Sequence, residues 1–144
     1  MGIMNAFKIG GEGLSVHGKR VEIAAKNIAN IDTPNYTRKI PIISSNQDQS
    51  FATVLSSMGV GALAGSSSMG GVNFDGIVED PTPGAKIYKP GHPDADENGY
   101  IRTSNTNPMV DIADATIAQR AFEASLGVMS ISKAMAVASL EIGK

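Results

Sequence analysis

The sequence predicts an α+β chain that is mainly α, with long N- and C-terminal helices, a small β unit and a flexible loop between them. Three observations carry this expectation. Apolar or small residues recur at alternating intervals of four and three from Ile3 to Ile31, and the same pattern runs from Val110 to Ile142. Between the two stretches the texture changes to Gly/Ser-rich runs and short segments punctuated by Pro and Gly. A four-three recurrence is the seam of helices that pack along one another, whereas short β-branched runs bounded by turn residues mark strands. The two helices are therefore expected to pair as a coiled-coil-like core.

The N-terminal core helix is expected over 1–33. Its seam reads Ile3, Phe7, Gly10, Leu14, His17, Val21, Ala24, Ile28 and Ile31, flanked by Lys8, Glu12, Ser15, Lys19, Arg20, Glu22 and Lys26. Pro34 ends it, because proline lacks the backbone donor and disfavours helix in the residue before it. Gly10, Gly11, Gly13 and Gly18 each disfavour the helix by about 1 kcal/mol relative to Ala, so packing has to hold it together.

Residues 34–71 read as an extended segment followed by a loop, since Ser44 to Gly71 is dominated by Ser, Gly, Gln and small apolar residues. A flexible or partner-ordered loop is expected there, with a short helix near Phe51 to Met58. The small β unit is expected over 72–107. Its strands are Val72 to Glu79, Ala85 to Tyr88 and Tyr100 to Thr103, separated by the turn signals Asp80-Pro81-Thr82-Pro83-Gly84 and Asn98-Gly99.

The C-terminal core helix is expected over 108–144. Its seam reads Val110, Asp114, Ile117, Ala121, Ala124, Val128, Ile131, Met135, Ala138 and Ile142. A second apolar row, Phe122, Leu126, Met129, Ala136 and Leu140, gives it another contact face. A single partner helix covers one row, so the other is expected to meet a neighbouring subunit; an ordinary monomer core is the competing reading.

Composition narrows the function classes. The 144 residues carry a formal net charge of −2, and no basic cluster exceeds the Lys19-Arg20 pair, which argues against a nucleic-acid partner. With no Cys, thiol catalysis, disulfides and Cys-ligated zinc are excluded. Lys8 and Glu12 interrupt the first apolar stretch, so no secretory signal peptide is expected. No unbroken run of about 18 apolar residues occurs, so no direct membrane insertion is expected.

Candidate chemistry is sparse. Asp94-Ala95-Asp96-Glu97-Asn98-Gly99 opens like a calcium loop, but Asn105 stands where a bidentate Glu is needed and the flanks are Pro-rich or strand-like. A solvated turn is the preferred reading. His17 and His92 lack companions at metal-ligand spacing, the serines lack a nucleophile-elbow context, and the glycine runs lack the Lys of phosphate loops. No catalytic residue, metal or cofactor is expected. A metal-dependent hydrolase using Asp94, Asp96 and His92 is the weakest reading.

One motif is more specific. Asn27-Ile28-Ala29-Asn30-Ile31-Asp32-Thr33-Pro34-Asn35-Tyr36 closely resembles the N-terminal signature of the bacterial flagellar rod and hook family. Two further stretches, Tyr88 to Ile101 with Pro90, His92, Pro93, Asp96, Gly99 and Tyr100, and Asn105 to Val110, resemble the segment that marks a proximal-rod branch of that family. Arg120 to Ser125 is similar to its C-terminal Arg-aromatic stretch. The resemblance covers roughly 1–40 and 72–144 and leaves the Ser44 to Gly71 insert without family meaning. The first motif serves a sister proximal-rod branch, FlgB, equally well.

The resemblance implies a non-enzymatic structural subunit of the proximal rod, a drive shaft that stacks helically and transmits motor torque across the periplasm. Implied partners are copies of itself, rod proteins of the FlgB, FlgF, FlgG and FliE types, and the flagellar type III export apparatus, which delivers the chain without a cleaved signal peptide. The expected assembly interface draws on Ile3, Phe7, Leu14, Val21, Ile28 and Ile31 from the first helix. From the second it takes Ile117, Phe122, Leu126, Val128, Met129, Ile131, Met135 and Leu140. A coiled-coil adaptor unrelated to flagella is the alternative.

Overall fold

Asn107 and Pro108 show how local chemistry starts the longest element. The Asn107 side chain accepts a hydrogen bond from the Met109 amide at 3.1 Å, and its carbonyl takes the first helical bond from Asp111. Pro108 follows at the first helical position, where its missing donor costs nothing. The computed structural model describes residues 2–46 and 71–142, with side chains from 5 to 45 and from 71 to 142. Its elements are α1 (Gly2–Ala29), β1 (Lys39–Asn46), β2 (Gly71–Glu79), β3 (Lys86–Tyr88), β4 (Tyr100–Arg102) and α2 (Pro108–Ile142).

The two helices pack antiparallel, as Gly10 faces Ser125 and Met129, Gly18 faces Phe122, and Asn27 reaches Asp111. β1 and β2 form an antiparallel ribbon from Lys39↔Glu79 to Asn46↔Gly71 that lies against α1. Asp75 is the extra residue of a bulge, where Ile42 opposes Gly76 and Ile43 opposes Phe74. Lys19 stands over the Phe74 ring at 5.4 Å, and Gly71 packs against the Glu12 carboxylate where a Cβ has no room. β3 and β4 make a second, shorter ribbon. The fold is thus mainly helical α+β, with paired terminal helices.

Few apolar side chains are buried among the described residues. Among the described residues the buried hydrophobic side chains are Val16, Ile23, Ala24, Ile101 and Ala118. Val16, Ile23 and Ala24 lie on α1 and Ala118 on α2, whereas Ile101 is buried separately on β4.

Several expectations are corrected. The α2 seam lies one position away from the one expected: Asp111, Ala118 and Ser132 are buried, Ala115, Ser125, Met129 and Ala136 are half-buried, while Val110, Ile117, Val128, Ile131, Met135 and Ile142 face outward. The cause is α1, whose facing row includes Gly10 and Gly13 and brings the backbones close. A Cβ on Gly10 would stand 2.7 Å from Met129 Cγ, and one on Gly13 2.8 Å from Ser125 Oγ. Helices that approach so closely accommodate Ala and Ser and leave no holes for Ile or Val. On α1 the expected seam positions Gly10 and Ala24 are buried together with Gly13, Val16, Ile23 and Asn27, whereas Leu14, Val21 and Ile28, and Ile31 beyond the helix end, are only half-buried.

α1 stops at Ala29 instead of residue 33, because the backbone tightens to i−3 bonds at Asn30 and Ile31 and Asn30 Nδ2 donates back to the Lys26 carbonyl at 2.8 Å. Residues 39–46, expected as extended chain and loop, are a strand, since Ser44, Ser45 and Asn46 pair with Asn73, Val72 and Gly71. The expected small β unit is made of two antiparallel ribbons, the first of which includes β1. Helix α2 is long and apolar enough to cross a membrane by length and composition, although it holds no unbroken apolar run of that length. The short helix expected near Phe51 to Met58 lies outside the described residues.

Candidate assembly site

The first motif folds into a polar clamp between the helices. Asn27, one per cent exposed, uses its whole amide: Nδ2 donates to the Lys39 carbonyl at 2.9 Å and to Asp111 Oδ1 at 3.2 Å. Its Oδ1 accepts from the Lys39 amide at 2.9 Å and from the Tyr36 hydroxyl at 3.1 Å. A buried amide with every group satisfied joins α1 to β1 and to α2 without an orphaned donor. Burial, with the Asp111 charge second, raises the Tyr36 phenol above its ordinary value and keeps it a donor.

Arg38 completes the clamp. Its Nε donates to Asp111 Oδ1 at 3.1 Å and Oδ2 at 3.3 Å, and one terminal nitrogen reaches Asp111 Oδ1 at 3.1 Å and Asp114 Oδ2 at 3.4 Å. The Arg38 amide donates to Asn105 Oδ1 at 2.6 Å, and Asn105 Nδ2 donates to the Thr82 and Asp80 carbonyls. The Asp80 amide returns a bond to the Arg38 carbonyl. Sites 27, 36, 38, 105 and 111 are thereby tied into one network.

The chain reaches Arg38 through a compact turn. Thr33 Oγ1 donates to Asn30 Oδ1 at 3.2 Å, the Thr33 and Tyr36 amides bond three residues back, and Asn35 adopts φ 58°, a left-handed conformation Asn tolerates. Pro34 sits inside this turn, and the Asn35 amide donates to the Arg102 carbonyl at 2.9 Å. An open groove of about 410 Å³ runs beside it, lined by Tyr36, Glu79, Thr82, Arg102 and Asn105 among others.

The second motif closes on itself. Asp96 Oδ1 accepts from the Asn98 amide at 3.0 Å and the Tyr100 amide at 2.8 Å, while the Asp94 amide donates to His92 Nδ1 at 3.2 Å. Asp96 therefore supports a turn. Tyr88 and Tyr100 meet edge to face at 5.2 Å, and Gly99 takes φ 76° beneath them, with Tyr88 and Pro90 about where a Cβ would be. Pro90 and Pro93 are exposed on this loop, which reaches the clamp only through β4.

The residues expected to form the assembly interface divide. Phe7, Leu14, Val21, Ile28, Ile31 and Met129 are half-buried, and the side chain of Ile3 lies outside those described. Ile117, Leu126, Val128, Ile131, Met135 and Leu140 are exposed, and Phe122 lies at 36% exposure against Gly18. His17 sits on the helix interface with its Nδ1 buried and unpartnered, and burial, followed by the Arg20 charge, lowers its pKa.

Sequence reasoning missed Arg38, Asn105 and Asp111 as site residues. A signal was present at Asp111, a lone carboxylate between Met109-Val110 and Ile112-Ala113 one turn into a helix. A buried carboxylate of that kind needs a cation.

Two terminal helices joined by buried polar groups, with large aliphatic side chains of the second turned outward, define a structural subunit. Residues 7–37 match the family model described as flagella basal body rod protein, and residues 97–142 match that of flagellar basal body rod FlgEFG protein C-terminal. The chain is 30% identical to the flagellar basal-body rod protein FlgC of Buchnera aphidicola subsp. Acyrthosiphon pisum, 28% to that of Salmonella typhimurium and 29% to that of Bacillus subtilis, each alignment covering the whole of both chains. This chain belongs to the FlgC family of flagellar basal-body rod proteins.

Proposed function

We propose that this chain is a non-catalytic structural subunit of the proximal rod that stacks helically and carries motor torque across the periplasm. The observation that carries the reading is the distribution of side chains on α2: Asp111, Ala118, Ser125 and Ser132, with Phe122 and Met129 over the glycines of α1, face inward, while Ile117, Leu126, Val128, Ile131 and Leu140 stand 48 to 73% exposed. Each is worth roughly 1.5–3 kcal/mol when fully buried, and a monomer leaves most of that unrealised. Neighbouring subunits supply the missing cover. Arg120, Glu123 and Lys133 along α2, and the clamp on Asp111, favour packing against protein over crossing a bilayer.

The partners of this reading are further copies and rod proteins of the FlgB, FlgF, FlgG and FliE types. Delivery runs through the flagellar type III apparatus without a cleaved signal peptide. The helix rich in glycine and the sparse core suit a chain exported unfolded and ordered on docking. The test is to express a tagged chain in a strain lacking its own copy and purify basal bodies. The tag is expected in the rod fraction with swimming restored; a tag that stays soluble in swimming cells contradicts the reading.

A further inference from the structure

The β3–β4 ribbon gathers charge and aromatic surface on one face. Lys86 stands directly opposite Arg102 and Tyr88 opposite Tyr100, so two cations and two phenol rings share that face, while Ile87 and the buried Ile101 belong to the other. All four are exposed, Tyr88 at 61% and Tyr100 at 42%. Like charges directly opposite on a ribbon repel, and neither cation comes within 4 Å of a carboxylate among the described residues. Asp94 and Asp96 share a cleft of about 280 Å³ with both, but Asp96 Oδ1 is taken by the Asn98 and Tyr100 amides. The face therefore lacks anionic groups in direct contact.

The chain carries a complementary piece where it leaves β2. Glu79 and Asp80 are followed by Pro81-Thr82-Pro83, with Glu79 and both prolines exposed. Asn105 Nδ2 holds the Asp80 and Thr82 carbonyls at 3.2 and 2.7 Å, and the Thr82 amide donates to Asp80 Oδ1 at 2.9 Å, so the run keeps one shape. Held there, it stays beside Thr103 to Asn105, whereas its own tyrosines lie at the far end of the ribbon. The spacings agree: Lys86 to Tyr88 spans about 6.6 Å of strand, and Glu79 to Pro81 about 6.2 Å of extended chain. Proline on exposed aromatic rings is a common mode of peptide recognition.

We propose that the Lys86–Tyr88–Tyr100–Arg102 face receives the Glu79–Pro83 run of a second copy, carboxylates on cations and prolines on rings. Run and face are different parts of one chain, so the contact is heterologous and passes head to tail from copy to copy instead of closing a two-fold pair. The inference rests on the rod-subunit reading and adds a contact between β elements to those of the helices.

A water-soluble carbodiimide tests it on the unmodified chain in purified basal bodies. The reagent turns a carboxylate into an acylisourea; the Lys86 amine attacks its acyl carbon, the urea leaves, and an amide joins two chains. Mass spectrometry of the dimer band is expected to show Glu79 or Asp80 joined to Lys86. Lys86→Arg keeps the charge and removes the amine, so it should enter rods normally and abolish that link. Lys86→Glu with Arg102→Glu should retain helix content by circular dichroism and be lost from rods; if helix content falls, the cross-link decides alone. A dimer band without the link, a link from Lys86 to a different protein, or normal rods built from the doubly reversed chain overturns the proposal. Absence of the unmodified chain from basal bodies would instead sink the rod reading. The same link is then read on the purified chain at high concentration, where its presence upholds the contact and its absence overturns it.

Discussion

Asp111 is two per cent exposed at its side chain and depends on Arg38, itself 18% exposed, for its counter-charge. Replacing Arg38 alone by Met leaves that carboxylate buried without its partner, and the expected loss is about 3–5 kcal/mol. Urea unfolding of Arg38→Met should show it, and adding Asp111→Leu should restore most of the loss. His17 gives a pH-dependent counterpart. Its pKa is lowered in the folded chain by burial first and Arg20 second, so the folded state disfavours the proton that the unfolded chain accepts. Its contribution is present above about pH 6.5 and is lost as pH falls from there through the lowered value. In His17→Gln the urea midpoint should change less between about pH 7.5 and about pH 5.5 than in the unmodified chain.

At the scale of elements, the glycines of α1 divide by what stands over them. Gly11 has nothing within 4 Å of an added Cβ, so Gly11→Ala should stabilise the chain by up to about 1 kcal/mol through helix propensity alone. Gly13 lies against Ser125, and Gly13→Leu should separate the helices and destabilise by about 1–3 kcal/mol. Thermal unfolding of the two variants, with shifts of opposite sign, checks the pair. The helices themselves were legible because periodicity and Pro34 and Pro108 bound them. The seam was misread because pattern reasoning assigns large aliphatic residues to the inside, and here close backbone approach puts Gly, Ala and Ser there. β1 was missed for a different reason: Ile40-Pro41-Ile42-Ile43 lacks strand alternation, and its partner begins at Gly71, across a long insert. In the site, Asn27, Asn30, Thr33 and Tyr36 announced themselves as a motif, whereas Arg38 and Asp111 meet only once the chain has folded.

For the whole molecule, two kinds of surface do different work. The inner seam combines glycines, small and polar residues with Met129 and Phe122, and holds the two terminal helices together. The outer face of α2 is large and apolar, with Ile131 63% and Leu126 53% exposed, and the described residues leave it uncovered. On the proposed rod-subunit reading, such a subunit gains part of its stability in the assembly. The β3–β4 loop closes on itself through Asp96 and the turn at Gly99 and reaches the clamp only through β4.

The most direct test is the amount of chain recovered in purified basal bodies from cells whose only copy carries Leu126→Asp. Position 126 is exposed, so the isolated chain should change in stability by no more than about 0.5 kcal/mol. The account predicts that the variant is exported yet absent from rods, in cells that do not swim. Rods of normal length containing the variant, in swimming cells, would contradict it.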